Sequence, residues 1–138
     1  MNSYSYEEIT VGMTESFTVQ ITEKKMEYFL ELTGDMNPLH NQKDYAKEKG
    51  YKDRVVYGML TASFLSTLAG IYLPGEKSLI HSVETKMIKP VFIGDELIVT
   101  GKVSEKSGSI PVITVKVTIE NQNREIVMRG KMQIGVSS

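Results

Sequence analysis

The sequence predicts an α+β fold in which one buried helix, about residues 57–70, lies on a curved antiparallel sheet. Three observations carry this expectation. Helical spacing dominates the front of the chain, Tyr57 to Gly70 is uncharged and apolar or small on every side, and from Ser78 onward the period changes to two. At 138 residues the chain is read as one domain, 1–138, with one core.

Each element has a local cause. In Thr14–Gln20, Phe17 and Val19 alternate with polar residues, which reads as a first strand. Thr22 can N-cap a helix in which Met26, Phe29, Leu30 and Thr33 recur at helical spacing, and Gly34 is placed to end it in a left-handed C-cap. Asp35 then falls just past a helix end. Pro38 fixes its own φ and pushes Asn37 toward extended backbone, so Asp35 and His40 are expected on an irregular turn and not on one helix face. Asp44 to Lys49 reads as a short surface helix closed by Gly50. The central helix follows, wrapped on most faces and stopped by Gly70 and Pro74. In the stranded half, Leu79, His81, Val83, Thr85 and Met87 share one register. Runs led by Leu97, Ile113 and Ile126 form the rest of an antiparallel meander, with Gly94-Asp95, Ser107-Gly108-Ser109 and Asn121-Gln122-Asn123 at the connections.

Composition removes several classes of function. Sixteen basic and 17 acidic residues leave a net charge of −1, which gives no field for nucleic acid or an anionic membrane. No cysteine is present, so disulfides, thiolate nucleophiles and cysteine metal sites are excluded. Two histidines without a His-x-x-x-His spacing argue against catalytic zinc, and no metal is expected. Met1–Glu8 has neither a basic nor an apolar leader region, and Val55–Pro74 is too interrupted by hydroxyl residues and glycine to span a bilayer, so a cytoplasmic location is expected. His81, on an apolar register, reads as a core or interface histidine. The basic cluster of Lys43, Lys47, Lys49, Lys52 and Arg54 reads as solvated surface.

The run from Phe29 to His40 resembles the signature of the MaoC-like (R)-specific enoyl-CoA hydratases and dehydratases, which have the hot-dog fold. That signature, [YF]-x-x-[LVI]-[ST]-G-D-x-N-P-[LIV]-H, is met by Phe29, Leu32, Thr33, Gly34, Asp35, Asn37, Pro38, Leu39 and His40. Val55–Leu60 resembles the family's V-x-G-M-L segment, and Lys89–Asp95 its P-V-x-x-G-D turn. Two positions depart from the pattern. Tyr57 stands where many members carry histidine, and Met87 where an aromatic residue is common.

Hydrating a conjugated thioester takes a base for water, an acid for the α-carbon and a donor to the enolate oxygen. Taken alone, Asp35 could be a turn residue and His40 a packing residue; the motif turns both toward proton transfer. The resemblance implies that Asp35 and His40 hold the catalytic water, with Gly34, Asn37 and Pro38 shaping the turn. His40 is suited to carry protons, its unperturbed pKa lying near 6.5. It also implies that the Gly58 N–H, at a helix N-terminus with its positive dipole end, receives the oxyanion. Ser66, rotated about 80° from Gly58 on an ideal helix, matches a family active-site position; Ser63 is second choice. Tyr57 and Met59 are candidates for the acyl pocket or an interface, and the eight methionines for core or pocket lining. No cofactor is expected beyond the coenzyme A or acyl carrier protein that carries the substrate, and a homodimer is expected because one unit leaves a sheet edge uncovered. The alternatives are dehydration of 3-hydroxyacyl groups on acyl carrier protein and, from another class, a hot-dog thioesterase or a non-catalytic acyl-thioester-binding protein.

Overall fold

Alternation in the second half of the chain builds a five-stranded sheet in the computed structural model, which describes residues 1–138. Its strands are β1 (Thr14–Gln20), β2 (Ser78–Met87), β3 (Glu96–Lys106), β4 (Val112–Glu120) and β5 (Ile126–Val136). They lie in the order β1-β3-β4-β5-β2, each neighbour antiparallel. The simple meander expected from the sequence is therefore corrected. β3, β4 and β5 do form one, but β1 takes the free side of β3, so β2 pairs with β5 at the opposite edge. The inner strands bury their apolar register: Leu97, Val99 and Val103 of β3, Ile113, Val115 and Ile119 of β4, and Met132 and Ile134 of β5 are fully enclosed.

The front half supplies α1 (Glu23–Thr33), α2 (Pro38–Asn41), α3 (Lys43–Glu48) and the central α4 (Gly58–Thr67), which continues into a π-helical turn over Leu68–Tyr72. α1 begins and ends as its residues require. The Thr22 hydroxyl accepts from the Lys25 N–H at 3.2 Å, and Gly34, at φ 74°, donates its N–H to the Leu30 carbonyl. The central helix seats on the sheet through Leu65 and Leu68, both buried, each side chain worth roughly 1.5–3 kcal/mol on leaving water. Two glycines receive them. A Cβ on Gly101 of β3 would meet Leu68 Cδ2 at 2.8 Å, and one on Gly130 of β5 would meet Leu65 Cδ2 at 3.2 Å. Without side chains there, the helix lies closer to the sheet.

Two burial expectations change. α4 is not wrapped on most faces: Met59, Ser63 and Ser66, spaced as one helical stripe, are exposed on the side away from the sheet. β2 is likewise open. His81 is not a core residue; it is exposed beside the bulge between Ile80 and Ser82, its ring lying against Gly135. Leu79, opposite Gly135, is 64% exposed on the outer face, whereas the bulge returns Val83, Thr85 and Met87 to the face they share with Met132, Gly130 and Met128, the side of α4, where Met87 is still 48% exposed. No helix is long and apolar enough to cross a membrane.

Candidate active site

Asp35 and His40 reach the same cavity through a chain of short-range hydrogen bonds. The left-handed Gly34 turns the backbone out of α1, and the Asp35 N–H donates to Thr33 Oγ1 at 3.2 Å. Asp35 Oδ1 accepts from the Asn37 N–H at 3.1 Å, closing an Asx turn. Asn37 Oδ1 in turn accepts from the Leu39 N–H at 2.9 Å, which N-caps α2 with Pro38 in its first turn. The segment expected to be wholly irregular thus contains one helical turn, and His40 lies on it. Cap and proline together supply what so short a helix needs.

Tertiary contacts then fix the imidazole. His40 Nδ1 lies 2.6 Å from the Val55 carbonyl oxygen. A carbonyl can only accept, so Nδ1 carries the proton, and Nε2 holds the free lone pair of the neutral ring. The ring also packs on Tyr57, with centroids 4.3 Å apart, and Tyr57 packs on Phe29 at 4.7 Å. The Tyr57 hydroxyl donates to the Asp35 carbonyl at 2.8 Å and lies 3.3 Å from Asn41 Oδ1. Only 1% exposed, Tyr57 is no surface residue: it ties both ends of the Asp35–His40 segment to the start of α4.

Gly58 opens α4, and its N-cap Tyr57 makes no side-chain capping bond, so the first-turn N–H groups are uncapped by that residue. Met87 of β2 crosses over it; a Cβ on Gly58 would meet Met87 Cε at 3.1 Å. Around these groups lie two cavities. The first, about 520 Å³, is lined by Asp35, His40, Tyr57, Gly58, Met59 and Met87 together with Phe29 and Thr33. The second, about 290 Å³, shares His40, Gly58 and Met87 and runs between Val55–Val56 and Val91, Val127 and Met128. Thr61 lines it too, and its buried hydroxyl has no hydrogen-bond partner. At the rim of this second cavity Lys89 pairs with Glu125 at 2.6 Å. That lysine, with a hydrogen bond from Asn121, holds the Glu125 carboxyl below the usual carboxylate range.

Of the residues singled out in the sequence, Asp35, His40, Tyr57, Gly58 and Met59 line the first cavity. Gly34, Asn37 and Pro38 shape the turn beneath them. Ser66 is not brought to this group; it is exposed on the outer stripe of α4 and lines neither cavity. The axial rise explains why: eight residues separate it from Gly58, about 12 Å along the axis at 1.5 Å per residue. Ser63 is occupied, donating to the Leu60 carbonyl at 2.6 Å. In the basic cluster Lys43, Lys47, Lys49 and Lys52 are exposed, as expected, but the Arg54 side chain is only 19% exposed. Arg54 pairs with Glu23, Lys49 lies over the Tyr45 ring and Lys52 over Phe92. Val55 and Thr61 were missed, because a backbone acceptor and a buried hydroxyl leave no signal in a motif.

Similarity to known proteins runs through these same elements. Residues 8–125 match the family described as MaoC like domain. The (R)-specific enoyl-CoA hydratase of Rhodospirillum rubrum is 37% identical over 105 residues, 73% of this chain and 73% of that one. The (R)-specific enoyl-CoA hydratase of Aeromonas caviae is 28% identical over 127 residues, 92% of this chain and 95% of that one. The unliganded R-hydratase PhaJ1 of Pseudomonas aeruginosa superposes with a TM-score of 0.91 at 28% identity, covering 97% of this chain and 86% of that one. On the match over residues 8–125 and the shared architecture, the chain belongs to the MaoC-like family and is a hot-dog enzyme of the hydratase–dehydratase class.

Proposed function

We propose that the chain adds water to trans-2-enoyl-CoA to give (R)-3-hydroxyacyl-CoA, and runs the reverse dehydration, with no cofactor other than the coenzyme A that carries the acyl group. The observation that carries this reading is the convergence of Asp35, His40 and Gly58 on one cavity, with His40 Nδ1 committed to Val55 so that Nε2 is the basic nitrogen. Asp35 has one carboxylate oxygen engaged by Asn37, which leaves the other to hold a water. In the forward step the water gives up a proton to this pair and its oxygen bonds to C3. The C2–C3 π electrons move into an enolate, whose oxygen is received at the Gly58 N–H. C2 then takes a proton from the pair on the same face, and the site returns to its starting state.

A homodimer belongs to this reading. The outer stripe of α4 and the apolar side chains Leu79, Val83 and Met87 of the edge strand β2 lie open in the single chain, Met59 being 65% exposed, and a second copy would cover exposed surface of both elements. Sedimentation at micromolar concentration should return twice the chain mass, and a monomer there contradicts it.

The enone absorbance of crotonyl-CoA, followed with free thiol in parallel, tests the chemistry. Loss of absorbance without thiol release is expected. Thiol release without hydration would identify a thioesterase instead, and faster turnover of the matching enoyl-acyl carrier protein would move the substrate to that carrier.

A further inference from the structure

The two cavities meet at the start of α4 and share three residues, His40, Gly58 and Met87. Two of the three are fixed. His40 is held by the Val55 carbonyl and by the Tyr57 ring, and Gly58 presents only backbone. Met87 is different: an unbranched thioether at the end of an edge strand, lying across Gly58. Three rotatable bonds let such a side chain change place without disturbing its strand. The space behind it is apolar, with eight of its thirteen lining residues hydrophobic, among them Val55, Val56, Val91, Val127 and Met128. Pantetheine carries amides that need partners, and apart from the Thr61 hydroxyl and the polar ends at His40, Tyr51 and Lys89 such a wall provides few; an alkyl tail needs none.

We propose that Met87 is a movable partition between the cavity where water is added and an acyl-tail chamber behind it, and so determines which chain lengths the enzyme accepts. This rests on the enoyl-thioester reading above. With Met87 across Gly58, short acyl groups are enclosed in the first cavity; a longer tail enters the second only when the thioether swings aside. The cost of moving it falls on long substrates alone.

The test compares wild type with Met87→Ala and Met87→Phe, measuring kcat/KM for crotonyl-CoA and trans-2-octenoyl-CoA. It also measures inhibition constants for butyryl-CoA and octanoyl-CoA, which cannot be hydrated. Each methylene buried is worth about fourfold, so Met87→Ala should raise the octenoyl-to-crotonyl ratio by about tenfold or more, with octanoyl-CoA inhibition tightening in step. Met87→Phe, bulkier and stiffer, should lower the ratio below wild type. A ratio unchanged in Met87→Ala, or shifted the same way in both variants, overturns the proposal. If Met87→Ala fails to fold, the Phe variant decides alone: a lowered ratio supports the partition and an unchanged or raised one rejects it. Wild type inactive on every enoyl-CoA would sink the hydration reading, while the inhibitor series would still decide the role of Met87.

Discussion

The two walls of the cleft are held in opposite ways. The wall running from Thr33 to Gln42 is mostly exposed, and its shape comes from neighbours in sequence: Thr33 to Asp35, Asp35 to Asn37, Asn37 to Leu39, Pro38 to Gln42. The opposing wall, α4, has almost no polar scaffolding of its own, and its placement comes from Leu65 and Leu68 pressing on Gly130 and Gly101 across the sheet. Reactive groups stand on the locally built wall, and the packed wall supplies a fixed backbone for them to work against. Such a division separates activity from stability, because the exposed wall can change its chemistry without opening the core.

That separation can be broken one wall at a time. The largest effect is expected at the exposed wall: Asp35→Asn or His40→Ala should lower turnover about 10²–10⁴-fold. Thermal unfolding of Asp35→Asn should stay close to wild type, since surface substitutions usually cost within ±0.5 kcal/mol, while His40→Ala also gives up the bond to the Val55 carbonyl and should cost about 1 kcal/mol. A large loss of stability in Asp35→Asn would show that the wall is not independent of the core.

Next comes the tie between the walls. Tyr57→Phe keeps the ring packed on His40 and removes the bonds to Asp35 and Asn41. A fall in kcat on the order of tenfold is expected, below the ~10²-fold of a full 1 Å misplacement, with KM little changed. The stability cost should be about 1 kcal/mol by denaturant titration. A change in KM alone would make Tyr57 a binding residue and not a positioning one. The packed wall responds in the other sense. Gly101→Ala places a methyl group against Leu68 and should cost about 1–3 kcal/mol, read as a lower unfolding midpoint, with activity per folded molecule retained. Smallest is the cap of α1: Thr22→Ala removes the hydroxyl that accepts from Lys25, for a loss of about 1 kcal/mol.

Legibility followed the same division. The strand Thr14–Gln20, the Thr22 cap, the Gly34 terminator and the Asp35–His40 turn were all readable, because each is decided by residues within a few positions of one another. Ser66 lines neither cavity of the single chain, since helical angle carries no record of its axial distance from Gly58. The β2 register misled because strict alternation does not reveal the bulge at His81, which puts Leu79 on one face of the sheet and Val83, Thr85 and Met87 on the other.

The sequence by itself determined the period of each segment, the caps, the turn carrying Asp35 and His40, and the family signature, since all of these act over one or two turns of chain. Only the tertiary structure decided which nitrogen of His40 is basic, what Tyr57 holds, and that Met87 lies across Gly58 between two cavities. Those facts depend on Val55, Asp35 and Gly58 meeting residues that the sheet and the central helix bring to them from elsewhere in the chain. Periodicity reports which face of an element is apolar; it carries no record of what that face meets.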